Sequence, residues 1–344
     1  MKTTTKAGVV LALSLGVLVA CMGIGSVNIP IPDMLTIIKA KITAATIPTN
    51  VTPSYVSILW DIRMPRAITA FMVGALLSVS GVIMQSLLQN PLASSYTLGV
   101  SSGAALGVAL VVVLNITIPV VGFFLLPLAG FIFGLGTVLL VIAVARRLDT
   151  SLKNQTIILM GMVFSLFVNA VLTMVSAMFS QHIQRLTLWQ MGSFSGRRWT
   201  HAGLLAVVAL AGIVLVMGDH RELDLMSFGE EQSMAVGVDT KQTKNRLLLL
   251  ASFLTGAAVC FTGIIGFVDL TIPHVTRRIF GSKHRLVLPM SAVLGGGFLA
   301  FADLLSRTVL SPREIPVGAV TALVGAPFFL YLYFVGRKGD ASCG

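Results

Sequence analysis

Residues that could support chemistry are few in this chain, since only 11% of its residues are charged. Two acids, Asp269 and Asp303, lie within or beside long apolar stretches. Ionisable groups at membrane depth are costly, and they usually serve a function or pair with one another. Asp303 lies four residues before Arg307, an order that favours an ion pair on one face of a helix. This pair fits a structural contact at a helix end at least as well as a proton relay, and Asp269 has no partner nearby in sequence.

Two motifs of catalysis and nucleotide binding are absent from the sequence. These are the GxxxxGK[ST] loop that holds nucleotide phosphates and the HExxH spacing of zinc proteases. Cys21, Cys260 and Cys343 form no CxxC pair, and the histidines are scattered. His274 follows Pro273 where we expect a helix to break, so a capping or lining role fits it better than metal binding. We therefore predict no catalytic residue, no metal site and no cofactor bound by this chain.

The composition excludes an ordinary soluble domain. Hydrophobic residues make up 56% of the chain, and the mean hydropathy is +0.93. The net charge of +11 would suggest nucleic acid in a soluble protein, but in a membrane protein the excess of Lys and Arg in cytoplasmic loops explains it more simply. We predict an all-α polytopic membrane protein in contact with lipid, without a nucleic-acid partner.

The sequence of residues 74–99 recurs, without a gap, at residues 256–281. Glycines and a proline coincide in the two stretches, pairing Gly74 with Gly256, Gly81 with Gly263, Pro91 with Pro273 and Gly99 with Gly281. Small residues also recur by chance in apolar helices, but the shared register favours a true repeat. Paired Gly/Pro interruptions are typical of transporters built from two related halves. We predict halves at about 63–180 and 247–336, with helix breaks or a pathway at Asn90, Pro91, Pro273 and His274.

Ten helices in a single transmembrane domain, residues 1–344, account for the apolar segments. They are predicted at about 8–28, 64–88, 97–114, 119–144, 156–179, 202–218, 247–266, 269–281, 289–307 and 316–335. The first could also be a signal peptide ending at Cys21, but its apolar run is long enough to span a bilayer. Fifteen of the 24 Lys and Arg then fall on the side of both termini, which predicts that both are cytoplasmic. The repeats start five helices apart and are therefore inverted.

Two polar regions are candidates for contact with partners. Arg63, Arg66 and Arg307 are predicted at the outer face, where they could be interfacial anchors or a positive docking surface for an acidic partner. The longest polar stretch, residues 219–246, is predicted to be cytoplasmic and to contain two short helices around Gly237. It could meet an ATPase or could be simply a solvated loop. The sequence alone leaves both pairs of alternatives open.

Several motifs, taken in order, resemble those of the iron-siderophore, haem and vitamin B12 permeases of ABC importers, the FecCD/BtuC-type family. They are RMPR at 63–66, NPLASSYTLGVSSGAALG at 90–107, WQMGSFSGRRW at 189–199, GIIGFVDL at 263–270 and EIPVGAVTALVGAPFFLYLY at 314–333. The resemblance extends over essentially the whole chain after the first helix. One departure is Asp269, which stands where the family usually has glycine.

This resemblance implies a permease homodimer in the cytoplasmic (inner) membrane, with two separate ATPase subunits that hold ATP and Mg²⁺ and a periplasmic or surface-anchored substrate-binding protein. Arg63, Arg66 and Arg307 then match docking positions for the binding protein. Contact with the ATPase matches about 229–238, and the cytoplasmic gate matches Asp149, Thr150 and Ser151. Within the ATPase-coupling segment we single out Gly229, Glu230, Glu231, Ala235 and Gly237.

A non-enzymatic translocation subunit is therefore expected, most often carrying a ferric siderophore or related iron chelate in this family. Haem, cobalamin or an oxyanion would fit the same architecture. A proton-coupled secondary transporter that uses Asp269, Asp303 and Arg307 is the main competing hypothesis. A membrane enzyme would need a nucleophile or metal site that the sequence does not offer.

Overall fold

The computed structural model describes residues 2–48, 51–118, 122–149 and 151–340, and within these ranges the chain is helical and contains no β-strand. The α-helices, in chain order, are α1 (Thr3–Gly23), α2 (Ile31–Thr43), α3 (Pro53–Ser57), α4 (Met64–Leu87), α5 (Val100–Val113), α6 (Leu125–Leu148), α7 (Asn154–Met178), α8 (Ile183–Gln190), α9 (Trp199–Gly218), α10 (His220–Met226), α11 (Glu230–Ala235), α12 (Thr240–Thr262), α13 (Val268–Phe280), α14 (His284–Thr308) and α15 (Val317–Asp340). A π-helical turn, Ile58–Arg63, joins α3 to α4.

Seven helices in the described part of the chain are long and apolar enough to cross a membrane: α1, the continuous α3–α4 segment, α6, α7, α9, α12 and α14. The predicted all-α membrane architecture is therefore confirmed. Helices also form at the other three predicted positions, but α5 and α13 have only 14 and 13 residues, and the apolar part of α15 is the short Val317–Tyr331. Ten crossings therefore remain a prediction.

Some helix limits differ from the sequence-based ones. The first helix ends at Gly23 rather than near residue 28, because the backbone becomes extended at Ile24. Arginine side chains bind carbonyls on both sides of this point, as described below. The predicted helix 4 corresponds to α6, which begins at Leu125; Pro119, its predicted start, lies outside the described residues. Pro289 lies inside α14 rather than at its start.

The central helix of the chain is α4, which is buried along most of its length. It packs against α14, α12, α9 and α13. Small residues allow this close approach, as is common between membrane helices. A Cβ atom added at Gly74 would lie 2.1 Å from the carbonyl oxygen of Gly295, and one at Gly81 would lie 1.9 Å from that of Asp269.

Two groups of helices pack closely among themselves. One consists of α1, α4, α13 and α14, and the other of α5, α6 and α7. Helix α12 packs against both α4 and α6. Because α12 contacts both groups, it forms the boundary between them.

The two stretches aligned by the repeat differ in local structure. Helix α4 continues through Gly81, whereas α12 ends immediately before Gly263, whose φ is +78° and which packs on the carbonyl of Trp189. Pro91 lies in the turn after α4, but Pro273 lies inside α13. The equivalence of the two halves stays a prediction.

Candidate functional site

A buried ion-pair network joins α4 to the far end of α14. The Nε and Nη2 atoms of Arg66 donate to the carboxylate of Asp303 at 3.0 and 2.8 Å, and Nη1 donates to Glu314 at 2.7 Å. Asp303 is only 1% exposed. The predicted Asp303–Arg307 pair is present, with Nε 3.7 Å from Oδ2, but Arg66 is the nearer partner. Sequence reasoning missed this contact because the two residues are 237 positions apart.

The other two arginines predicted for docking are bound to backbone carbonyls. Arg63 donates to the carbonyls of Met22 and Gly23 at 3.0 and 2.8 Å, and also to that of Val27. Arg307 donates to the carbonyl of Cys21. Three of these carbonyls belong to the last turn of α1 and the fourth, that of Val27, to the segment after it, so the arginines supply donors to carbonyls where α1 ends. The structure thus brings the three arginines together at one end of the molecule, where their side chains are largely enclosed; their docking role stays a prediction.

The helix interruption of the second half lies at residues 263–267, not at Pro273 and His274, through which α13 continues. Proline removes the backbone N–H that would donate to the carbonyl four residues earlier, that of Asp269. The side chain of Gln85 supplies the missing donor: its Nε2 lies 3.2 Å from the carbonyl oxygen of Asp269 and 3.1 Å from that of Leu270. A neighbouring helix therefore satisfies the backbone that the proline leaves open.

In the first half, Asn90 and Pro91 lie in the turn that follows α4. The backbone N–H of Leu92 donates to Asn90 Oδ1 at 2.9 Å. Beyond this turn, the hydroxyl of Ser94 donates to Asp269 Oδ2. Asp269 is 1% exposed, and its Oδ1 has no hydrogen-bond partner within the described ranges. The two helix interruptions therefore meet at Asp269, although a pathway role for these residues stays a prediction.

At the opposite end of the molecule, Asp149 caps the loop between α6 and α7. Its carboxylate accepts from the backbone N–H of Ser151 at 2.9 Å and of Lys153 at 3.1 Å. These backbone hydrogen bonds lower the pKa of Asp149 below its ordinary value. Thr150, the third predicted gate residue, lies outside the described residues. The predicted gate is thus a turn built on one ionised carboxylate.

We expect the substitution Asp149→Ala to loosen this turn without unfolding the protein. Because the pKa of Asp149 is lowered by folding, its stabilising effect is complete at neutral pH and is lost as the pH falls through the folded-state pKa, below 3.8. Hydrogen exchange of the Ser151 and Lys153 amides at pH 7 should become several-fold faster in the variant. The control Asp33→Ala, on α2, should leave these amides unchanged; equal protection in Asp149→Ala would contradict the prediction.

The residues predicted to contact an ATPase lie close to this turn. Gly229, with φ +122°, precedes α11, which contains Glu230, Glu231 and Ala235. Gly237, with φ +91°, lies in the turn before α12. The predicted pair of short helices around Gly237 is wrong in detail, because one short helix precedes it and the long α12 follows; the other short helix, α10, lies earlier in the chain.

Three large apolar side chains are exposed in this same polar segment: Phe228, Met234 and Val236 are 73%, 54% and 63% exposed. Clustered exposed apolar groups commonly mark an interaction surface. We call Phe228–Val236 the α11 surface. Its composition favours a protein contact over a merely solvated loop.

Two buried polar contacts at this end were missed by sequence reasoning. His284 hydrogen-bonds through Nδ1 with Asp224 at 2.7 Å and through Nε2 with Ser86 at 2.6 Å, so it links α14, α10 and α4. The ammonium of Lys244 is fully buried and contacts both α11 and the loop after α6. Neither contact has a local sequence signal, since each depends on segments brought together by the fold.

Together these features define a polytopic helical membrane protein with a central glycine-lined helix, interrupted helices near its core and polar assemblies at both ends. The chain belongs to the FecCD transport family, whose model matches residues 11–334. The family resemblance of the sequence motifs is thereby confirmed.

Individual relatives agree with this assignment. The chain is 39% identical to an uncharacterized ABC transporter permease protein, YvrB, of Bacillus subtilis, over 96% of this chain and 93% of that protein. It is 36% identical to the hemin transport system permease protein HmuU of Yersinia pestis, over 81% of this chain and 84% of that protein. Among solved structures, a metal-chelate type ABC transporter in an inward-facing conformation matches with a TM-score of 0.82 and 27% identity, over 95% of this chain and 98% of the other.

Proposed function

We propose that this chain is the translocation subunit of an ATP-driven ABC importer for a ferric siderophore or related iron chelate. The ABC assignment rests on the family match over residues 11–334. The α11 surface, which offers exposed apolar side chains beside the carboxylates Glu230 and Glu231, supports a contact with an ATPase. A separate ATPase, with its own ATP and Mg²⁺, would bind there. The chain itself would supply no covalent chemistry.

The proposed complex contains two copies of this chain, two ATPase subunits and one substrate-binding protein. The binding protein would dock at the end that holds Arg63, Arg66 and Arg307. There, Arg66 and Arg307 pair with the carboxylates of Asp303 and Glu314, and Arg63 binds backbone carbonyls only. The three guanidinium groups outnumber the two carboxylates, and the positive charge that remains suits an acidic partner. The α11 surface lies at the opposite end, which this proposal assigns to the cytoplasm together with both termini.

Relatives whose names include hemin, iron(3+)-hydroxamate and cobalamin support a metal chelate as the substrate class. Iron chelates are the common choice in the family, and haem, cobalamin and small oxyanions are the alternatives. ATP binding and hydrolysis would shift the permease between two states, each stabilised by different contacts with its partners.

Uptake in cells that carry this chain with its ATPase and binding protein tests the proposal. Radiolabelled ferric hydroxamate, haem and cobalamin are supplied, with and without a substitution of the phosphate-binding lysine of the ATPase. We expect accumulation of one ligand that is lost with the ATPase variant. Accumulation that survives the variant and collapses with an uncoupler would instead favour proton coupling through Asp269 and Asp303, and would overturn the ABC mechanism.

A further inference from the structure

Lys244 lies in the second turn of α12, and its side chain is 0% exposed. Its Nζ donates to the carbonyl oxygen of Leu152 at 2.9 Å and also to the carboxylate of Glu230. Leu152 belongs to the turn capped by Asp149, and Glu230 is the first residue of α11. One buried ammonium therefore bonds the predicted gate and the α11 surface at the same time.

Both partners of Lys244 are held rigidly within their own segments. Leu152 is 1% exposed, with φ +54°, and its N–H donates to the carbonyl of Asp149 at 3.1 Å. On the other side, the backbone of α11 is fixed by buried Ser233, whose carbonyl accepts from the N–H of Val238 at 3.0 Å. Displacement of either segment as a unit would consequently stretch its hydrogen bond to the Lys244 ammonium.

The burial of Lys244 makes this link difficult to break. An ammonium removed from water is strongly unfavourable unless it is paired and hydrogen-bonded. If α11 moved away from the 149–153 turn, Lys244 would lose one of its two described acceptors while still enclosed. Motion of the two segments together keeps both bonds, and it is therefore the lower-energy route.

We propose that Lys244 is a positioning residue that makes α11 and the 149–153 turn move as one unit. This inference rests on the proposed function, in which an ATPase displaces α11 and the turn gates the pathway. A displacement of α11 by the ATPase would then move the gate directly through Lys244, at the cytoplasmic end of α12. The membrane-embedded part of the protein would not be needed to transmit it.

Arg246 offers a matched control on the same helix. It lies two residues further along α12 and pairs with Asp219, but its side chain is 54% exposed. Exposed pairs of this kind contribute little, and among the described residues this pair has no hydrogen bond or ion pair with α11 or the turn. Arg246→Met therefore removes a cation and an ion pair from the same helix while leaving the Lys244 link intact.

The test combines transport with a distance measurement on the full chain assembled with its ATPase and binding protein in liposomes. For the distance measurement, separate samples carry spin labels at Ser151→Cys and Met234→Cys, with Cys343→Ser; the two other native cysteines, Cys21 and Cys260, are buried. Because these labels lie in the predicted gate and on the α11 surface, transport is measured on the unlabelled proteins. Ferric hydroxamate, haem and cobalamin serve as transport probes. The readouts are the label-to-label distance distribution and the number of ligand molecules imported per ATP hydrolysed.

We expect Lys244→Met to broaden the distance distribution and to lower import per ATP by about tenfold, within the usual range of coupling between sites. Glu230→Gln, which keeps an acceptor but loses the charge, should shift both readouts in the same direction by less. It also serves as the test if Lys244→Met does not insert. Arg246→Met should match the unsubstituted protein in both readouts.

An unchanged distance distribution, or unchanged import per ATP, in both Lys244→Met and Glu230→Gln would overturn the inference. Failure of the proposed function would be seen separately, as the absence of ATP-dependent import of any probe by the unsubstituted protein. The distance measurement needs no substrate, so it would still decide whether Lys244 holds the two segments together.

Discussion

Asp303→Asn should destabilise the protein by about 3–5 kcal/mol, the usual cost of breaking a buried ion pair. The carboxylate of Asp303 accepts three hydrogen bonds from Arg66, and Arg307 lies beside it. Its loss leaves two enclosed guanidinium groups with only the exposed carboxylate of Glu314 to compensate them. The measurement is the midpoint of thermal unfolding in detergent, together with the monodisperse fraction after purification.

Glu314→Gln is the matched control, because its carboxylate binds the same arginine but its side chain is 41% exposed. Solvent screens that pair, so the expected loss is below about 1 kcal/mol. The double variant Arg66→Met with Asp303→Leu should recover part of the stability, since replacing both members of a buried pair by apolar groups is often neutral. The recovery is partial because Arg307 then keeps only its hydrogen bond to the Cys21 carbonyl. Equal stability of Asp303→Asn and the unsubstituted protein would show that the network carries little of the fold.

Gly81→Ala should be the most damaging single-methyl substitution in α4. The new Cβ would lie 1.9 Å from the carbonyl oxygen of Asp269, a distance that only movement of α4 against α13 can relieve. Overpacking of this kind costs roughly 1–3 kcal/mol or more, and the shift would also lengthen the hydrogen bond from Gln85 to the same carbonyl. Thermal unfolding in detergent measures the loss.

Gly203→Ala on α9 provides the opposite case. Apart from its own helix turn, no described atom lies within 4 Å of the position its Cβ would take, and alanine favours a helix over glycine by about 0.8–1.0 kcal/mol. We expect this variant to be as stable as the unsubstituted protein or slightly more so. A Gly81→Ala protein that unfolds at the same temperature as Gly203→Ala would disprove close backbone packing between α4 and α13.

The helices were predictable because apolar composition and length are local properties, and all ten predicted segments contain a helix. The Asp303–Arg307 pair was predictable for the same reason, since both residues lie one turn apart. Arg66, Gln85 and Lys244 act across 237, 184 and 92 positions, and no local pattern reveals such contacts.

Pro273 shows how a sound local rule can fail. Proline normally ends or kinks a helix because it removes a donor, and this favoured a break at Pro273 and His274. The structure keeps the helix because a glutamine on a neighbouring helix replaces that donor. The sequence contains the glutamine, but not its position beside the proline.

The Gln85 contact also limits how the molecule could change shape. The Gln85 side chain donates to two successive carbonyls of α13 and accepts a hydrogen bond from Arg277 on the same helix. These three hydrogen bonds fix α4 to α13. Sliding of either helix past the other would break these hydrogen bonds and leave the Asp269 carbonyl without the donor that replaces the missing proline N–H. Relative motion should therefore occur along α12, where the group of α1, α4, α13 and α14 meets the group of α5, α6 and α7. Each group should move as a rigid body.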